Sequence, residues 1–170
     1  MAGALKPAYR AGDLLAAQVV RSEDGGQAAC SSERLLSLAV ECGANAVPSF
    51  ISVEAIARTA EDKLRLGELA DAVDMESLAI LRETERWGIP AIAVRSVADT
   101  AQRDLPCDFS RMVDERGQMR MWRVAIEPFR APQRLPALIQ FAIASRRAAW
   151  SLARFLDRYV DALSRVADRP

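Results

Sequence analysis

Ala70-Asp71-Ala72-Val73-Asp74-Met75-Glu76-Ser77-Leu78-Ala79-Ile80 and, after a helical stretch, Ile89-Pro90-Ala91-Ile92-Ala93-Val94-Arg95-Ser96-Val97-Ala98-Asp99-Thr100-Ala101 decide how this chain reads. A short apolar strand around Ala72 and Val73 runs into Asp74, Met75 and Glu76. A helix then carries Leu78, Ala79, Ile80 and Leu81 toward Trp87, and Gly88 stands where a left-handed helix stop belongs. Ile89 to Val97 is almost uninterrupted apolar sequence, which predicts a strand buried on both faces in a parallel sheet, with Asp99 just past its end. Strand, helix and strand, with carboxylates at the C-terminal ends of both strands, is where an open α/β sheet holds ligands.

Bulk properties narrow the function classes. The 170 residues suffice for one domain with a core; 51% are apolar and 27% charged, as in an ordinary globular protein. Formal net charge is zero, so no global field argues for nucleic acid. With no histidine, Ser-His-Asp and Cys-His catalysis and the usual zinc sites fall away, and no metal is expected. Cys30, Cys42 and Cys107 form no CxxC pair and read as reduced, buried thiols of a cytoplasmic protein. The N-terminus lacks the pattern of a signal peptide, and no apolar run is long enough to span a bilayer.

Val73-Asp74-Met75-Glu76-Ser77, followed by Val94-Arg95-Ser96-Val97-Ala98-Asp99-Thr100-Ala101, resembles the nucleoside phosphorylase and nucleosidase superfamily, which includes the methylthioadenosine/S-adenosylhomocysteine nucleosidases. Two independent blocks in order across one strand-helix-strand unit make the match specific. The Val-Asp-Met-Glu-Ser form, the Asp-Thr-Ala after the second strand and the arginine-rich C-terminal helices look most like the hopanoid-associated phosphorylases. Ala98 stands where that family usually has serine. Ala2 to Asp13 matches a family stretch that lies in mid-chain, which implies that the family's first strands and its phosphate- or water-positioning loop would lie upstream.

What the resemblance implies is a three-layer αβα fold with a mixed, mostly parallel sheet, N-terminally incomplete. It comprises residues 1–132 as a partial phosphorylase-like domain and residues 133–170 as amphipathic helices packed on it. The implied reaction is cleavage of the N-glycosidic bond of an adenine nucleoside, by adenosylhopane analogy releasing adenine in hopanoid biosynthesis. The attacking group is phosphate or water, with phosphate a co-substrate and no other cofactor. The resemblance also implies a homo-oligomer. The alternative is a truncated, inactive protein that binds nucleosides or a membrane surface.

Asp99 and Glu76 are the candidate catalytic residues. Expelling a purine requires a proton on the leaving base, and a carboxylic acid at the edge of an apolar strand has its proton affinity raised by desolvation. The competing reading of Asp99 is an N-cap. A carboxylate at Glu76 accepts hydrogen bonds from two sugar hydroxyls and sits near the positive charge that develops on the ribose in the transition state; the plain alternative is a first-turn acid complementing the helix dipole. Met75 would pack on the ribose, Asp74 would assist Glu76 or cap the helix, and Ile56 and Ala57 align loosely with backbone that touches the purine ring. Arg95, a charge inside an apolar strand, needs a carboxylate partner, with Asp74 at hand, or an exposed edge, and is read as structural.

Elsewhere the pattern predicts a strand over 14–20, a polar loop over 21–27 and a helix capped by Ser31 or Ser32 ending at Gly43. A strand follows over 44–51, placed near an edge or a bulge by Pro48, and then a charged surface helix from Thr59 through Ala70 with Asp62 completing a capping box. Gln102 to Cys107 reads as a loop able to close over a pocket, 108–112 as a helical turn, 115–118 as a tight turn, and 122–129 as strand or helix. From Leu135 the apolar residues recur at helical spacing. Seven arginines against three aspartates in 133–170 allow that amphipathic segment to pack on the sheet or to meet lipid phosphates at a membrane surface.

Overall fold

The computed structural model describes residues 1–107 and 132–167. The expectations for 108–112, 115–118 and 122–129 lie outside the described residues. Strands β1 (Ala2–Ala4), β2 (Leu14–Ser22) and β3 (Ala28–Cys30) precede helix α1 (Glu33–Glu41). Next come β4 (Asn45–Ser52), α2 (Ala60–Gly67), β5 (Ala72–Asp74), α3 (Ser77–Arg86) and β6 (Ala93–Asp99). A 3-10 turn (Pro132–Arg134) leads into α4 (Leu135–Ala167), one continuous helix of 33 residues.

The six strands form one sheet in the order β3-β2-β4-β5-β1-β6, and β6 pairs back onto β2, so the sheet curls until it meets itself. The α/β class and the mixed sheet are as expected. In it β2–β4, β4–β5 and β1–β6 are parallel, whereas β1–β5, β2–β3 and β2–β6 are antiparallel. Because β1 runs against β5 and along β6, β5 and β6 run in opposite directions rather than as the parallel pair the sequence suggests. Side-chain alternation along β2 builds the core on both faces. Leu15, Ala17 and Val20 face the inside of the curl with Phe50, Ala72, Leu78 and Val97. Leu14 and Ala16 face outward onto Ala39 of α1 and Phe155 and Tyr159 of α4. A third cluster packs Leu66 and Ala70 against Ile51 and Val73.

Several expectations change for local reasons. The strand predicted from Ile89 starts at Ala93 and includes Asp99. Gly88, at φ +65°, ends α3, and Pro90 can donate no ladder hydrogen bond, so 89–92 serves as a connection in which the Ala91 carbonyl accepts from Ser32 N–H. The strand holding Pro48 is central, not an edge. β4 pairs with β2 along its length, but its ladder to β5 begins only at Phe50, so a missing N–H at Pro48 leaves no neighbour unpaired on that side. Within the predicted loop, β2 continues to Ser22 and turns through Gly25, at φ +70°, into β3. Ser32 occupies the N-cap of α1 without a side-chain bond, while Ser31 Oγ accepts from Ala93 N–H at 3.3 Å. The Thr59–Asp62 capping box forms as expected, though α2 stops at Gly67. Of the three thiols only Cys107 is buried; Cys30 is exposed and Cys42 intermediate. No helix among the described residues is long and apolar enough to cross a membrane.

Candidate active site

A predominantly apolar cavity of about 730 Å³ lies where the ends of β1, β5 and β6 meet the first turns of α4. Such a volume is of the size that takes a small-molecule ligand. The structure brings Asp74, Met75, Glu76, Asp99, Ile56 and Ala57 to this one cavity. The reason differs from the sequence argument. β5 and β6 do not lie side by side with parallel ends; β1 lies between them, and Gly3 is in register with both Val73 and Asp99. A side chain at Gly3 would sit 3.1 Å from Asp99 Oδ2 and 3.2 Å from Val73 Cγ1, so glycine there lets both strands crowd the same patch.

Asp74 is buried and saturated. Its Oδ1 accepts from Ser52 Oγ at 2.6 Å and from Ser77 N–H at 3.3 Å, and its Oδ2 from Ser77 Oγ and from Arg95 Nε at 2.7 Å. It therefore caps α3 and supplies the partner that Arg95 required. Arg95 in turn reaches toward Glu76, with Nη2 3.9 Å from Oε2. The Glu76 side chain is 65% exposed, occupies the N-cap position of α3 without bonding the helix amides, and is free to meet a ligand at the rim.

Asp99 sits in a different environment. Its side chain is 18% exposed, and burial pushes its carboxyl above the ordinary aspartate range. Lys63 pulls the other way from 2.6 Å without cancelling that effect. Asp99 makes no N-cap bond among the described residues. Lys63 was not legible as a site residue, because α2 reads as a charged surface helix. A signal existed all the same: Lys63 shares the i, i+3, i+4 stripe with Leu66 and Gly67, the face α2 buries. Leu138 and Phe141 of α4, Leu105 and Val53 complete the apolar wall. No group of three metal-ligating side chains occurs among the described residues.

One buried carboxyl with raised proton affinity in an apolar recess and one solvent-facing carboxylate on the same cavity can divide acid and charge-stabilising roles between them. No protein-family model matches the sequence, and no curated protein matches it. Solved structures do. The methylthioadenosine/S-adenosylhomocysteine nucleosidase of Helicobacter pylori superposes with a TM-score of 0.67 at 20% identity over 95% of this chain and 65% of its own. The Neisseria meningitidis nucleosidase, in complex with methylthio-immucillin-A, gives 0.63 at 18% identity over 94% and 65%. Futalosine hydrolase of H. pylori gives 0.61 at 19% over 92% and 65%. This chain thus spans 65% of the length of each of these neighbours. The chain shares the fold of these nucleosidases.

Proposed function

We propose that this chain belongs to an enzyme that cleaves the N-glycosidic bond of an adenine nucleoside. The observation that carries the reading is the pairing, on one apolar cavity, of a buried Asp99 with raised proton affinity and an exposed Glu76 braced by Arg95. Asp99 gives its proton to a ring nitrogen of the departing purine, so the base leaves neutral rather than as an anion. Glu76 accepts from the ribose hydroxyls, and its charge stabilises the positive ribose only as the bond breaks. Met75 packs on the sugar, and Ile56 and Ala57 border the base. Water or phosphate completes the reaction at the anomeric carbon.

The apolar wall from α4 favours a nucleoside with a greasy 5′ substituent, an adenosyl lipid such as adenosylhopane, over a plain one. The same helix supports contact with the cytoplasmic face of a membrane. Leu135, Ile139, Ile143 and Trp150 are solvent-exposed, and Arg147, Arg154 and Arg158 surround Trp150 in a shallow hollow. Ile139 belongs both to this exposed stripe and to the cavity wall. Co-sedimentation with anionic vesicles tests that contact.

Incubating the chain with adenosine or an adenosyl lipid, with and without phosphate, should release free adenine, measured by chromatography. Asp99→Asn should lower kcat by about 10²–10⁴-fold. No adenine from any of these substrates would sink the proposal. One rival is a chain that binds nucleosides without turnover. Calorimetric binding of adenosine without adenine release would select it.

A further inference from the structure

Lys63 is fully buried, yet every hydrogen of its ammonium has a partner: Asp99 Oδ2 at 2.6 Å, the Arg103 carbonyl at 2.8 Å and the Thr100 carbonyl at 3.1 Å. A buried ammonium is costly unless held in this way. Its position is set from both sides. The capping box fixes the start of α2, and two hydrogen bonds of 2.8 Å, Ala60 N–H to Asp104 Oδ1 and Leu105 N–H to the Arg58 carbonyl, fasten the loop after β6 to that helix start. Asp99 remains partly open to the cavity. Its Oδ2 is engaged by Lys63, and its Oδ1 has no hydrogen-bond or ion-pair partner among the described residues.

We propose that Lys63 is a positioning residue for the reaction inferred above: its ammonium pins Oδ2 of Asp99 and so commits the remaining oxygen, Oδ1, to the leaving base. The inference rests on the nucleoside-cleaving reading of the cavity. A second consequence is electrostatic. Lys63 offsets part of the proton affinity that burial confers on Asp99, so the acid gives up its proton more readily than burial alone would permit. Other charged groups nearby are engaged elsewhere. Arg103 donates to Gln140 of α4, Asp104 accepts from Ala60, and Arg95 pairs with Asp74 and reaches toward Glu76. The α-amino group of Met1, at the cavity edge, interacts with Arg95, Glu76 and Asp74 rather than with Asp99.

The test is Lys63→Met, which keeps an unbranched chain and leaves Asp99 able to take up a proton. The alkaline limb of the pH–kcat profile should move up by about one pH unit or more, and kcat should fall more than KM changes. The Asp99 carboxyl carbon, assigned by carbon NMR against Asp99→Asn, should titrate higher by the same shift. An unmoved limb and an unmoved resonance assign Lys63 to bracing α2 alone and overturn the inference. If the variant does not fold, the unmodified chain decides: the Lys63 Nζ resonance must report the titration of Asp99, and its indifference overturns the proposal. A shifted resonance in a chain that releases no adenine would overturn the function and leave the coupling standing.

Discussion

Asp74 and Asp99 are each the last residue of a strand, and their surroundings give them opposite work. Asp74 receives two hydroxyls, an amide and a guanidinium, so its carboxylate is consumed in holding Ser52, Ser77 and Arg95 together. Asp99 has one cationic partner and a largely apolar recess, so its proton is the thing at stake. Asp74→Ala should therefore destabilise the fold by on the order of 3–5 kcal/mol in denaturant unfolding, since it strands Arg95. Glu76→Gln, at an exposed rim, should cost under about 0.5 kcal/mol while impairing turnover. The Arg95–Asp74 pairing was legible because a charge in an apolar strand must find a partner. The Lys63–Asp99 pairing was not, because lysine on a short polar helix ordinarily points to water.

Among the elements, α2 and β1 are where small residues matter most. Gly67 closes α2 directly against the chain following β1, and a Cβ there would stand 2.6 Å from the Leu5 carbonyl oxygen. Gly67→Ala should cost about 1–3 kcal/mol, seen as a lower midpoint in urea, because backbone on both sides must yield. The reading of β5-α3-β6 recovered the helix and its glycine stop, and the two carboxylates it singled out, Glu76 and Asp99, line one cavity. It missed the direction of β6 relative to β5, since a local pattern says nothing of a strand from elsewhere in the chain inserting between two others. The central place of β4 was hidden for a related reason: Pro48 is harmless only because the β5 ladder begins beyond it.

For the molecule as a whole, α4 presents two unlike faces. One face lies on β2 and α1 through Phe155 and Tyr159, whose rings stack with centroids 5.3 Å apart, and Tyr159 Oη donates to the Leu35 carbonyl at 3.1 Å. The opposite face of its first half is apolar and arginine-flanked. An aromatic ring among arginines suits the boundary of an anionic bilayer. The chain should pellet with phosphatidylglycerol vesicles, and Trp150→Ser combined with Arg154→Gln should release it without altering thermal unfolding. Equal pelleting by the variant would remove membrane contact from the reading.

Strand and helix identities, the capping box on α2, the glycine stop after α3 and the carboxylates worth suspecting all follow from short-range chemistry, because each depends on neighbours within a few residues. The curl of the sheet, the placing of β1 between β5 and β6, the burial of Lys63 beneath Asp99 and the cavity itself depend on contacts between distant parts of the chain. Those contacts are fixed by packing rather than by periodicity, and packing exists only once the chain has folded.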